Sequence, residues 1–332
     1  MLINLHTSSL RFLSCLIRVI FAGLLFSTPL LAQTLGTTAT PARPTYSPQP
    51  TVANSTPSTA TATPPSIEGL VLNMVNVTDR NRQVVNGLAK DRFHIFQDDV
   101  EQTIVDFQEE NGPYSVGFVI DTSRSMLKDD KYNAISGAIP AFFRKKSPDD
   151  EYFVVTVSDL PVVLVTFTTD LTRAPKQFEA AGGSNIYDGV YLALEMAKEA
   201  ANRRKAIVVI TDAGIGEVPE FVLSSALHQN VQVFSLLLPQ RGNFNNTADG
   251  VHGLKLLSEV SGGRATEVLP VRKAIESELE WMASTIRSQY RIGYINTARD
   301  GKRRTLKVRV DSTPGSQPLT AWTRSGWFAP SR

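Results

Sequence analysis

Ser115-Val-Gly-Phe-Val-Ile-Asp121-Thr-Ser123-Arg-Ser125 is the stretch that decides how this chain is read. An apolar run over 116–120 ends in Asp121-x-Ser123-x-Ser125. Such a run suits a strand buried on both faces of a parallel sheet. The short oxygen-bearing side chains of Asp121, Ser123 and Ser125 follow at alternate positions, where the strand leaves the sheet. Alternate residues of an extended segment point the same way, so these oxygens can face one point in space. Only Asp121 among them is charged. Few carboxylates, several neutral oxygens and water make a donor set for a hard cation such as Mg2+.

Working outward, strands alternate with helices from about residue 114 to 288. Strands are expected at 116–120, 152–157, 162–167, 206–210, 231–237 and 265–268, and helices at 131–145, 186–203, 219–228, 251–260 and 272–287. Near-continuous apolar strands such as Ala206-Ile-Val-Val-Ile210 indicate a parallel sheet covered on both faces. The short link Ser158-Asp159-Leu160-Pro161 allows only an antiparallel hairpin. The expected fold class is therefore α/β: a doubly wound, mostly parallel sheet with one antiparallel edge strand.

Residues 67–112 form a β-rich segment, and residues 289–332 return to short strands separated by Asp300-Gly301 and Pro314-Gly315 turns. A piece as short as 67–112 makes a marginal core alone. The simplest expectation is that the two segments pair as a small sandwich, with the α/β domain of 113–288 inserted between them.

Upstream, residues 1–32 read as a secretory signal peptide. Arg11 and Arg18 give a positive start, 19–26 is a short apolar core, and Ala32 offers a small residue before Gln33. An uncleaved membrane anchor is the alternative. Residues 33–66 are rich in Thr, Pro, Ala and Ser and read as a solvated linker. The expected location is exported: periplasmic, cell-surface or secreted. Cys15 is the only cysteine and lies inside the signal segment, so cysteine catalysis and disulfides are excluded from the mature chain. A net charge of +2 with mixed signs gives no sign of nucleic acid.

Two further loops complete the cation reading. Ala181-Gly182-Gly183-Ser184 precedes an amphipathic helix and offers a hydroxyl beside glycines. Ala206-Ile-Val-Val-Ile-Thr211-Asp212 repeats the pattern of a strand ending in Asp. In doubly wound sheets, ligands bind at the carboxyl ends of strands where strand order reverses.

Asp121-Thr-Ser123-Arg-Ser125, Gly183-Ser184 and Asp212 together resemble the metal-ion-dependent adhesion site of the von Willebrand factor type A domain. The flanks resemble a narrower group, the exported bacterial proteins with a related domain (the acidobacterial type). They do so through Gly87-Leu88, Asp91-Arg-Phe93, Ser288-Gln-Tyr290-Arg-Ile-Gly293-Tyr294 and Arg324-Ser-Gly326-Trp327-Phe-Ala-Pro330. The resemblance implies a binding module and not an enzyme. Asp121, Ser123, Ser125 and Ser184 would hold Mg2+, or Mn2+ or Ca2+, with Asp212 behind a water. An exposed Asp or Glu of a protein partner would complete the site. Contact with a membrane is expected only if the signal segment stays uncleaved. Ser184 stands where the family usually has Thr; it offers the same oxygen without the rotamer-restricting methyl.

Asp129, Asp130 and Asp188 are candidates for the surroundings of the site. All three also suit helix N-termini, where carboxylates favour the dipole. Lys302, Arg303, Arg304, Lys307 and Arg309 read as a solvated basic face. The rivals are a Mg2+-dependent hydrolase using Asp121 and a structural domain with a vestigial site. No His lies near the three loops in sequence, and no nucleophile elbow or phosphate loop is present.

Overall fold

Strands and helices take the order that the hydropathy pattern dictates. The computed structural model describes residues 68–212, 216–239, 248–313, 315 and 317–331. The expected signal segment and linker lie outside these residues. Four strands come first: β1 (Leu70–Asp79), β2 (Phe93–Gln97), β3 (Val100–Gln102) and β4 (Asp106–Glu110). The α/β layer follows with β5 (Tyr114–Asp121), α1 (Lys131–Phe142), β6 (Glu151–Val157), β7 (Pro161–Thr168), α2 (Ile186–Ala197) and β8 (Arg204–Thr211). It continues through α3 (Glu220–Gln229), β9 (Gln232–Leu237), α4 (Ala248–Ser261), β10 (Ala265–Glu267) and α5 (Arg272–Arg287). The last strands are β11 (Gln289–Ile295), β12 (Arg303–Val310), β13 (Leu319–Trp322) and β14 (Gly326–Phe328).

The six-stranded sheet has the order β10-β9-β8-β5-β6-β7. Its pairs are parallel except β6 with β7, which are antiparallel at the edge. This is the doubly wound, mostly parallel sheet expected from the pattern. Along β5 the side chains serve two cores. Tyr114, Val116, Phe118 and Ile120 pack with α1 and α5, while Val119 packs with α2, α3 and α4. Every residue of β5 is buried, and each apolar side chain so buried stabilises the fold by about 1.5–3 kcal/mol. Gly117 interrupts the run because a Cβ there would lie 2.3 Å from the Phe153 ring.

Strand order reverses between β5 and β8: the chain leaves β5 for β6 on one side and returns to β8 on the other. The carboxyl ends of these neighbours carry Asp121 and, one residue past β8, Asp212. The crevice at this switch point is where a doubly wound sheet offers a site.

The outer strands form two four-stranded antiparallel sheets, β13-β1-β11-β4 and β14-β12-β2-β3. They share one apolar core that includes Val75 and Tyr290 from the first sheet and Ile95 and Leu306 from the second. The α/β layer leaves this pair of sheets at β4 and returns at β11, and Glu110 and Gln289 are register partners. Buried Arg204 sits at that junction, donating from Nη1 to the carbonyls of Glu110, Ile286 and Arg287.

One helix ends well short of the pattern. The helix expected over 186–203 stops at Ala197. Beyond it, Ala201 N–H donates to Glu151 Oε1 and Asn202 N–H to Ser115 Oγ. Side chains at the starts of β6 and β5 thus pull the chain toward β8. The basic face of β12 is largely solvent-exposed, as expected, with surface ion pairs from Arg304 to Asp300, Lys307 to Asp99 and Arg309 to Asp311.

Candidate metal centre

Asp121 closes β5 with its side chain fully buried. Its Oδ1 accepts the Ser123 N–H at 2.8 Å, which turns the chain out of the strand. Thr122 N–H still donates to Val157 O at 2.7 Å, so the turn stays fixed to β6. Ser123 is extended, at φ −64° and ψ 161°. A 3-10 segment, Arg124–Asp130, begins right after it. Extended alternation therefore reaches only to Ser123, and the 3-10 turn brings Ser125 back. The two hydroxyls lie 2.9 Å apart.

The second loop is held by a residue of the β6–β7 turn. Asp159 Oδ1 accepts the Gly183 N–H at 2.7 Å. Gly182 has φ +52°, and a Cβ there would lie 1.8 Å from Asp159 Oδ2, so only glycine fits. Ala181 N–H donates to Thr122 O at 3.0 Å, tying this loop to the first. Ser184 Oγ then reaches Asp121 Oδ2 at 3.0 Å. The same carboxylate oxygen accepts Thr211 Oγ1 at 2.5 Å.

Asp212 completes the set. Its Oδ1 accepts Ser125 Oγ at 2.8 Å. The expected residues Asp121, Ser123, Ser125, Ser184 and Asp212 thus form two hydrogen-bonded groups side by side, Ser184 with Asp121 and Ser123 with Ser125 and Asp212. The Asp121 oxygen that receives Ser184 also receives the residue before Asp212, and the Ser123 N–H, donating to Asp121 Oδ1, joins the groups at the turn. Ser125 and Ser184 are half-buried and form the open side of the cluster. Burial pushes the Asp121 carboxyl above its usual range, against the bonds from Thr211 and Ser123; the Asp212 charge adds to the rise.

The other acidic candidates stand apart. Asp129 and Asp130 are exposed, both at positive φ, and Asp130 Oδ1 accepts Asn133 Nδ2 at the start of α1. Asp188 is exposed in the first turn of α2. Among the described residues, no three His, Cys, Asp or Glu side chains converge as a metal group. The donors here are instead a mixture of carboxylate and hydroxyl.

Sequence reading missed four residues that shape the centre: Thr211, Asp159, Tyr132 and Lys131. Tyr132 OH donates to Ser123 O at 2.9 Å, and burial, with Asp121 and Asp212 nearby, pushes its hydroxyl well up. Lys131 is fully buried, with Nζ 2.7 Å from Asp212 Oδ2. A signal for Lys131 did exist. It lies three, four and seven residues before the buried Ala134, Ile135 and Ala138, and so on the apolar face of α1.

Residues 116–215 match the family model of the von Willebrand factor type A domain. No curated protein matches the chain. Among solved structures, a von Willebrand factor type A protein from Catenulispora acidiphila is 10% identical, over 80% of this chain and 74% of its own, with a TM-score of 0.45. The conserved hypothetical protein BatB from Bacteroides thetaiotaomicron is 18% identical, over 53% of this chain and 100% of its own, with a TM-score of 0.39. Proximal thread matrix protein 1 from the mussel byssus, described with a zinc-occupied MIDAS motif, is 15% identical, over 56% of this chain and 49% of its own, with a TM-score of 0.45. The residues that match the family model take in most of β5, the hydroxyl pair, the glycine loop and Asp212.

Proposed function

We propose that this centre holds one divalent cation, Mg2+ foremost with Mn2+ or Ca2+ as alternatives, and docks an acidic side chain of a protein partner. The observation that carries the reading is the convergence of Asp121, Ser123, Ser125, Ser184 and Asp212 at the switch point of the sheet. All five offer hard oxygen donors, the ligand type that Mg2+ and Ca2+ take. Asp121, Ser123, Ser125 and Ser184 would hold the ion, with Asp212 behind them. A bound ion supplies positive charge for a charge-assisted contact with an incoming carboxylate.

The rim supports an acidic partner. Arg124, between the two serines, is exposed and has no carboxylate partner among the described residues. Leu127, three residues on in the same segment, is 60% exposed. A cation and an apolar side chain next to the centre favour a partner that presents an acid with apolar neighbours. The signal-like pattern of residues 1–32 supports docking outside the cytoplasm. Among the described residues, no helix is long and apolar enough to cross a membrane.

A hydrolase using Asp121 is the weaker reading. A nucleophilic carboxylate needs open access and a proton-handling neighbour. Asp121 is fully buried, and its oxygens accept from Ser123, Ser184 and Thr211. Of the described histidines, His94 lies in the antiparallel sheets, His228 near the end of α3 and His252 in α4, and the bonds to Asp121 come from none of them. Calorimetric titration of Mg2+ and Mn2+ into the full chain and into Asp121→Ala tests the proposal. Heat of binding is expected for the parent and its loss for the variant. No binding by the parent would remove the docking model in favour of a vestigial site.

A further inference from the structure

Lys131 stands where local physics disfavours it. It is the first residue of α1, where the helix dipole favours acids over cations. It lies on the apolar face of that helix, and lysine is almost never fully buried unless paired. Packing alone would be met by methionine at lower desolvation cost. Nor is Lys131 required to orient Asp212, because Ser125 Oγ already donates to Asp212 Oδ1 at 2.8 Å. What the ammonium adds, 2.7 Å from Asp212 Oδ2, is charge. Two carboxylates and one ammonium leave the cluster with one net negative charge.

We propose that Lys131 is the built-in cation of this centre, which makes the divalent metal and the acidic partner bind as a pair. The inference rests on the docking function proposed above. With the Asp212 charge already neutralised, a divalent ion meets too little negative charge for tight binding alone. The same shortage leaves the bound ion with surplus positive charge, which a partner carboxylate supplies. Metal and ligand then strengthen each other, since coupling between sites is reciprocal. A centre of this kind stays weakly loaded until the partner arrives.

The test is Mn2+ titration of the full chain, followed by the electron paramagnetic resonance signal of free Mn2+. Each titration is run in acetate and in chloride at equal ionic strength, with acetate as the carboxylate probe. For the parent, acetate is expected to tighten Mn2+ binding several-fold. For Lys131→Met, Mn2+ binding in chloride is expected to tighten by about tenfold or more, from Coulomb attraction to the freed carboxylate. The acetate effect is expected to shrink in the same variant. Lys131→Arg, which keeps the charge, should follow the parent. If Lys131→Met does not fold, the parent decides alone, and equal Mn2+ affinity in acetate and chloride overturns the pairing. A folded Lys131→Met with the parent's Mn2+ affinity and acetate response also overturns it, while leaving metal docking intact. No Mn2+ binding by any form overturns both readings.

Discussion

Arg324→Met is the sharpest test of how the antiparallel sheets are joined to the α/β layer. Arg324 follows β13 and is 7% exposed. Its Nε donates to Asn73 Oδ1 at 3.0 Å, Nη1 to Leu227 O at 2.9 Å and Nη2 to Leu72 O at 3.0 Å. One guanidinium thus spans β1 and α3. Burial pushes its pKa down to about 10. Against an ordinary value near 12.5, holding the charge costs about 3 kcal/mol at neutral pH. Hydrogen bonds from a charged group return about 1.5–3 kcal/mol each. Three such bonds outweigh the cost, and the surplus is about 3 kcal/mol in the middle of the range. Met fills part of the same volume but donates nothing, so a loss of about 3 kcal/mol is expected. Urea unfolding read by far-UV circular dichroism and by tryptophan fluorescence measures it. Arg324→Lys should recover less than half, because an ammonium cannot reproduce the planar fork. A loss under about 1 kcal/mol, or full recovery with Lys, would refute the claim that these hydrogen bonds outweigh the buried charge.

Two further outcomes follow from the geometry. His94 bonds Glu101 at 2.7 Å and Asp311 at 3.1 Å, and these carboxylates, Glu101 first, raise its pKa. The folded state therefore favours the protonated ring. That contribution is fully present below about pH 6.5 and is lost as pH rises through the folded value. Compared with His94→Gln, the parent's Tm advantage should shrink as pH is raised across neutrality; an advantage that grows with pH would contradict the assignment. Gly182→Ala places a methyl where Asp159 Oδ2 now lies and forces an L side chain into φ +52°. It should cost about 1–2 kcal/mol and weaken Mn2+ binding beyond what the Tm loss explains, because Ser184 loses its support. Unchanged Mn2+ affinity would show that the Asp159 clamp does not place Ser184.

Much of the fold was legible because period and burial leave marks on sequence. The apolar 116–120 and 206–210 runs read as strands covered on both faces, and the four-residue link Ser158-Asp159-Leu160-Pro161 forced an antiparallel edge. The centre was less legible. Alternation suggested how Asp121 and Ser123 could share a direction, yet Ser125 joins them through a 3-10 turn, not through an extended chain. The end of α2 was also missed, because the groups that capture residues 201 and 202 belong to β5 and β6.

By itself the sequence determined the alternation of strands and helices, the placement of an acid at two strand ends, and hydroxyls beside them. Those are properties of short segments, where the repeat of a strand or helix assigns each side chain to a face. Only the tertiary structure decided what each face meets. Helix period marks Lys131 as inward-facing, but its partner Asp212 is 81 residues away and is brought there by the parallel pairing of β5 with β8. Thr211 is brought to Asp121 across 90 residues by the same pairing, and Asp159 reaches Gly183 across a loop. Charge balance depends on such through-space neighbours and not on local pattern. The donor atoms were therefore visible in the chain, while the net charge they present was set by the fold.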